Sequence, residues 1–152
     1  MSPTQQSLMQ KFLTPDRRAK LGSLVTAGGF RLADVIRSGV RNPDSSVGLY
    51  APDAHAYEVF GSLFDDVIRA YHGHGPRDPH RRDLDPTHLT VGALDVAGTY
   101  IVSTRIRVGR NLKGFPLAPG ISKDERAEVE RRVVEALLSL TGDSAGTYHP
   151  LS

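Results

Sequence analysis

The chain has 152 residues, 39% apolar and 24% charged, and its 19 basic and 17 acidic side chains leave a net charge of +2. That length allows one domain or a small pair, and the slight basic excess, with no Lys/Arg cluster interleaved with aromatics, argues against nucleic acid as a partner. The absence of cysteine excludes disulfide and thiolate chemistry within the chain, and the lack of any apolar run near ~20 residues or of a signal-peptide core predicts a cytoplasmic protein without a membrane partner.

In chain order, residues 1–12 carry little pattern and are expected to fray. Thr14-Pro15-Asp16 is a helix start: Thr caps, Pro suits the first helical position and Asp favours the positive end. This helix is expected to stop at Gly22. A second follows Gly28-Gly29, with Leu32, Val35 and Ile36 on one face and Gly39 as its stop. Asp44 to Gly48 is turn-rich. From Ala51-Pro52-Asp53 a longer helical pattern places Tyr57, Phe60, Phe64, Val67, Ile68 and Tyr71 on one apolar stripe. Ser62, with Asp65 three residues on, offers a restart after Gly61. This half reads as a small all-α domain.

Residues 73–90 change character. Gly73, Gly75, Pro76, Pro79 and Pro86 break any helix, so the segment reads as a linker. It carries His74, His80 and His88, just after His72, but their spacing matches no common metal site and no metal is expected. Near the end, Ser122-Lys123-Asp124-Glu125 is a capping box. The helix it opens has Val129, Val133, Leu137 and Leu140 on one side and is expected to end at Thr141-Gly142. Arg126, Glu130, Arg131 and Glu135 form its wet face, with i,i+4 pairs.

Between these parts lies Tyr100-Ile101-Val102-Ser103-Thr104-Arg105-Ile106-Arg107-Val108-Gly109-Arg110. Tyr100, Val102, Thr104, Ile106 and Val108 alternate with Ser103, Arg105 and Arg107, the pattern of a half-buried strand. The two guanidinium groups would stand about 7 Å apart on one face. Twinned planar forks suit a chain of phosphates. On pattern alone, a strand with a merely solvated outer face is the commoner reading.

Residues 103–117 closely resemble the nucleotide-binding strand of the phosphagen (guanidino) kinases, the arginine and creatine kinase relatives. Asp44-Ser45-Ser46-Val47-Gly48-Leu49-Tyr50-Ala51-Pro52-Asp53-Ala54 resembles that family's guanidino-specificity loop. Gly146-Thr147-Tyr148-His149-Pro150-Leu151 resembles a strand just downstream. The likeness runs in the family's order from about Leu13 onward and is most like arginine kinase.

The resemblance implies an α+β fold. A small all-α guanidino-substrate domain (1–72) is followed by a linker (73–90) and by the first strand–helix–strand portion of an antiparallel-sheet catalytic domain (91–152). It implies reversible phosphoryl transfer from MgATP to a guanidino nitrogen, with arginine or a related guanidino compound and ATP as partners. MgATP and MgADP are substrates, and no prosthetic group is implied. Ser103, Thr104, Arg105, Ile106 and Arg107 would bind the nucleotide. Ser45, Ser46, Val47, Gly48, Leu49, Tyr50 and Tyr71 would bind the guanidino substrate, whose carboxylate suits backbone N–H groups in a tight turn. Arg110 and Lys113 read as surface residues. Arginine kinases typically have Gly where this chain has Ser46, which leaves the phosphagen open.

Family members run to about twice this length or more. Nothing here matches their catalytic glutamates, reactive cysteine or further phosphate-binding arginines, so no catalytic residue is assigned. The chain is expected to be a truncated kinase, inactive alone and marginally stable, because a piece of sheet has unpaired edges. The rival reading is a non-catalytic binding or regulatory module derived from such a kinase, pairing with a full-length kinase subunit.

Overall fold

The computed structural model of the chain describes residues 6–103, 105, 107 and 109–150. Two compact bodies result. One holds the described residues up to Pro76 together with those from Asn111 onward, and the other is Arg77–Arg110.

The first body is helical. Helix α1, Leu8–Phe12, opens on a capping box in which the Ser7 hydroxyl accepts the Gln10 N–H and the Gln10 side chain accepts the Ser7 N–H. The expectation of a fraying N-terminal stretch is corrected here: Ser7 and Met9 are buried. Helix α2, Pro15–Leu21, has Thr14 as its cap and Gly22 after its last turn, as expected. Helix α3, Leu32–Arg41, begins after an isolated antiparallel bridge between Val25 and Arg31. Gly39 does not stop it. The helix runs two residues further to an Asn42 cap, and Gly39 is buried within it.

Helices α4, Ala56–Val59, and α5, Gly61–His72, follow almost without interruption. The restart at Gly61 occurs, but Phe60 is the cap residue and Ser62 makes no capping bond. Gly73 ends α5 in the left-handed conformation at φ +66°, which only glycine adopts without strain.

The core is aliphatic and aromatic: Met9, Leu13, Leu32, Val35, Ile36, Phe60, Leu63, Phe64 and Val67 close on one another, with Phe60 and Leu63 fully buried. Arg17 ties this arrangement together, donating to the Phe12 carbonyl at 3.0 Å and to Asp66 of α5 at 2.8 Å. Thr26 donates to Asp53 at 2.6 Å, and the same carboxylate accepts the Ala56 N–H at 2.7 Å. The returning chain docks here too. Leu117 packs on the core, and its N–H donates to the Pro52 carbonyl at 2.8 Å.

Helix α6, Lys123–Leu138, has the expected Ser122–Glu125 capping box but ends three residues before Thr141; a 3₁₀ turn spans Gly142–Ser144. Its wet face is laced by Arg131 to Glu128 and Glu135 and by Arg132 to Glu128. No residue of α6 is buried, and Val133 and Leu137 remain exposed.

The second body contains one short 3₁₀ turn, Pro86–His88. No strand forms among the described residues, which corrects the expected start of a sheet at Tyr100–Arg110 and the expected strand at Gly146–Leu151. Thr104, Ile106, Val108 and Leu151 lie outside the described residues. The cause is the lack of a ladder to join. Tyr100 and Val102 are 88% and 90% exposed, so the described part of that face has no core beneath it. The N–H groups of Tyr100 and Ile101 instead both donate to the Asp95 carboxylate, at 2.6 and 2.8 Å, a local alternative to strand pairing. These bonds hold the Asp95 carboxyl below its usual range. No helix among the described residues is long and apolar enough to cross a membrane.

The difference between the bodies sets one expectation. Phe60→Ala removes a fully buried ring and should cost about 3–5 kcal/mol in urea unfolding, whereas Val102→Ser should change stability by no more than about 0.5 kcal/mol. A second concerns pH. Hydrogen bonds from Arg131 and Arg132 pull the Glu128 carboxyl from 4.5 down to about 2. A lowered folded pKa contributes stability above the ordinary carboxylate pKa that is lost as pH falls toward about 2. Circular dichroism should therefore show α6 helicity declining between pH 4.5 and 2, and Glu128→Gln should flatten that part of the curve.

Candidate functional site

The turn-rich stretch after α3 becomes a tightly held loop. Ser45 N–H donates to the Asn42 carbonyl at 3.0 Å, and the Ser45 hydroxyl accepts the Gly48 N–H at 3.0 Å. Gly48 sits at φ +71°, where a Cβ is costly. The carbonyls of Ser46 and Val47 accept the Leu8 and Met9 N–H groups, each at 2.9 Å, and that of Gly48 accepts the Gly39 N–H at 3.1 Å. Leu8 and Met9 lie in the first turn of α1, whose N–H groups have no partner within the helix. Tyr50 N–H donates to the Val35 carbonyl at 3.0 Å.

The loop borders a cavity of about 360 Å³ lined by Val47, Leu49, Tyr50, Tyr57, Phe64, Val67, Ile68, Tyr71 and His72. Two regions singled out separately in the sequence, the loop and Tyr71, thus share one concavity. The Tyr57 and Phe64 rings meet at a tilt of 48° with 4.8 Å between centroids, and Tyr71 meets His72 edge-on at 4.7 Å. Its walls are mainly apolar, with three tyrosyl side chains half-exposed at the rim. Such a surface suits the stem of a small amphipathic molecule, leaving orientation to a few polar groups. The sequence pattern assigns Tyr57, Phe64, Val67 and Ile68 to the packing stripe alone. The signal for their second role is nonetheless present, because the same stripe ends on Tyr71.

Ser45 and Ser46 belong to the loop but do not line that cavity. A second concavity, about 470 Å³, lies between α3 and the returning chain and is lined by Asp34, Arg37, Ser38, Arg41, Asn42, Tyr50, Ala118 and Pro119. Tyr50 borders both.

The nucleotide-site candidates belong to the Arg77–Arg110 body. Ser103, Arg105 and Arg107 are exposed and belong to no helix or strand. Thr104 and Ile106 lie outside the described residues. Arg110 is exposed and donates to the Gly109 carbonyl. Among the described residues no group of three or more His, Asp or Glu side chains is placed to hold a metal ion. His88 pairs instead with Asp83 at 2.7 Å, and this hydrogen bond lowers the Asp83 pKa.

Residues 3–69 match the family described as ATP:guanido phosphotransferase, N-terminal domain. An arginine kinase of Anthopleura japonica is 47% identical over 99% of this chain and 21% of its own length. Arginine kinase Oct f 2 of Amphioctopus fangsiao is 48% identical over 96% of this chain and 42% of its own. The solved duplicated taurocyamine kinase from Schistosoma mansoni, with bound transition state analog components, superposes with a TM-score of 0.79 at 34% identity, covering 99% of this chain and 21% of that one. The chain thus spans about two fifths or less of the relatives it matches. It belongs to the phosphagen (ATP:guanido) kinase family and corresponds to the N-terminal part of its members.

Proposed function

We propose that this chain supplies the guanidino-substrate half and the first nucleotide-contacting segment of a cytoplasmic kinase that moves a phosphoryl group reversibly between MgATP and arginine or a related guanidino compound. The carrying observation is the shared cavity, which puts Val47, Leu49 and Tyr50 of the loop together with Tyr71 of α5. In this reading residues 1–72 are the substrate domain, 73–90 a linker and 91–152 the beginning of the nucleotide-binding domain.

Phosphoryl transfer asks little covalent chemistry of a protein. It depends on aligning the two substrates and on cations that spread the charge of the transferred group. Alignment of the guanidino substrate falls to the loop 45–50. The Ser46 and Val47 N–H groups make no hydrogen bond among the described residues, which leaves them for a carboxylate. Tyr50 and Tyr71 flank the stem. Charge stabilisation falls to Ser103, Arg105 and Arg107, with Thr104 and Ile106 on the same segment, where two permanent cations grip the polyphosphate. The exposure of Ser103, Arg105 and Arg107, outside any helix or strand, is the observation that favours a second reading, a non-catalytic module that pairs with a full-length kinase subunit.

Amide shifts of the 152-residue chain should respond to L-arginine at residues 46–50 and Tyr71; responses confined elsewhere would remove the substrate-site assignment. An ATP-regenerating coupled assay of the chain alone should show no turnover. Joined to the remaining part of a phosphagen kinase, the chain should bind MgADP, and calorimetry should find Arg105→Ala weaker by a few kcal/mol, about the worth of charge-assisted hydrogen bonds. A solvated arginine would leave the affinity unchanged.

A further inference from the structure

The back of the loop is held as specifically as its front is open. Its carbonyls at Ser46, Val47 and Gly48 are all taken, by Leu8 and Met9 of α1 and by Gly39 of α3. The Gly39 N–H and the Val35 carbonyl lie four residues apart in α3, and both bond the loop, to the Gly48 carbonyl and the Tyr50 N–H. The two backbones can approach this closely only because neither carries a side chain there. A Cβ on Gly39 would lie 2.4 Å from the Gly48 oxygen, 2.7 Å from the Gly48 Cα and 2.8 Å from the Met9 Cε. A Cβ on Gly48 would lie 3.1 Å from the Gly39 Cα and 3.3 Å from the Ser7 hydroxyl. The first two obstacles at Gly39 are backbone, so relief requires the loop itself to move.

We infer that α1 and α3 form a cradle that positions the guanidino-substrate loop, with Gly39 the positioning residue that fixes how far the loop stands from the cavity and Ser7 the cap that keeps α1 in place to hold it. The inference rests on the reading of residues 45–50 as the substrate loop. None of these groups touches substrate. The Leu8 and Met9 N–H groups fix the Ser46 and Val47 carbonyls and the Gly39 N–H fixes that of Gly48, which sets the planes of the peptide units that carry the Val47, Gly48 and Leu49 N–H groups. The consequence is specific. Displacing the loop by a few tenths of an ångström to an ångström should weaken the part of binding that depends on the substrate's carboxylate, and leave the part contributed by the apolar wall of α5.

The test compares L-arginine with agmatine, which is the same molecule without the carboxylate, by amide-shift titration of the whole chain. The wild-type chain should bind arginine more tightly than agmatine. Gly39→Ala should lose about tenfold or more in arginine affinity while agmatine affinity stays within about twofold. Ser7→Ala, which removes only the α1 cap bond, should lose a smaller factor of about two to five for arginine alone. Gly61→Ala is the control, since a Cβ there meets nothing within 4 Å, and it should change neither ligand. Unchanged arginine affinity in Gly39→Ala, or equal loss of both ligands, overturns the cradle and leaves the site reading standing. Failure of the wild-type chain to bind arginine, or equal binding of arginine and agmatine, overturns both. If Gly39→Ala does not fold, Ser7→Ala decides by the same comparison.

Discussion

Two glycines in contact, Gly39 in a helix and Gly48 in a loop, set how closely the loop lies against α3. Their meeting lets the Gly39 N–H and the Val35 carbonyl of α3 bond the loop directly. The loop in turn satisfies the first N–H groups of α1, which a five-residue helix could not keep alone. The short helix and the tight loop therefore stabilise each other. Met9 and Leu49, one from each, then enter the same core as Val35 and Ile36, so hydrogen bonding and apolar burial point to one arrangement.

The two bodies differ in what backs them. Helical segments satisfy their own backbone groups and need only bury one stripe, and α5 does so through Leu63, Phe64 and Val67. A strand satisfies its backbone only in company. The stretch around Tyr100 and Val102 has strand composition without a neighbouring ladder, and its amides turn to Asp95. Helix α6 is intermediate. Its cap and ion pairs act within the helix, and its apolar side is left largely in water.

The legible parts of the fold were those governed by local chemistry. Thr14-Pro15-Asp16 and Ser122–Glu125 announced helix starts because a cap is made by residues three apart. Gly73 announced a stop because left-handed backbone disfavours a Cβ. Gly39 misled for a related reason: a glycine that permits close approach is written identically to one that ends a helix. The α1 capping box, Ser7 with Gln10, was equally readable, but five residues carry too little periodicity to stand out. The alternation at 100–110 encodes a strand that its surroundings do not complete. For the candidate site, the family resemblance marked the loop and Tyr71, while the place of Tyr57 and Phe64 in the cavity wall was hidden within a pattern that packing alone explains.

The chain leaves the helical body after Pro76 and rejoins it at Asn111, where Leu117 and the Pro52 carbonyl secure the return. The stretch between is thus an excursion pinned at both ends. The entropy of closing such an excursion rises only with the logarithm of its length, about 0.6 kcal/mol per doubling. Changes of length in its first part, residues 77–90, therefore carry little thermodynamic penalty for the helical body, whatever the rest of the stretch must preserve.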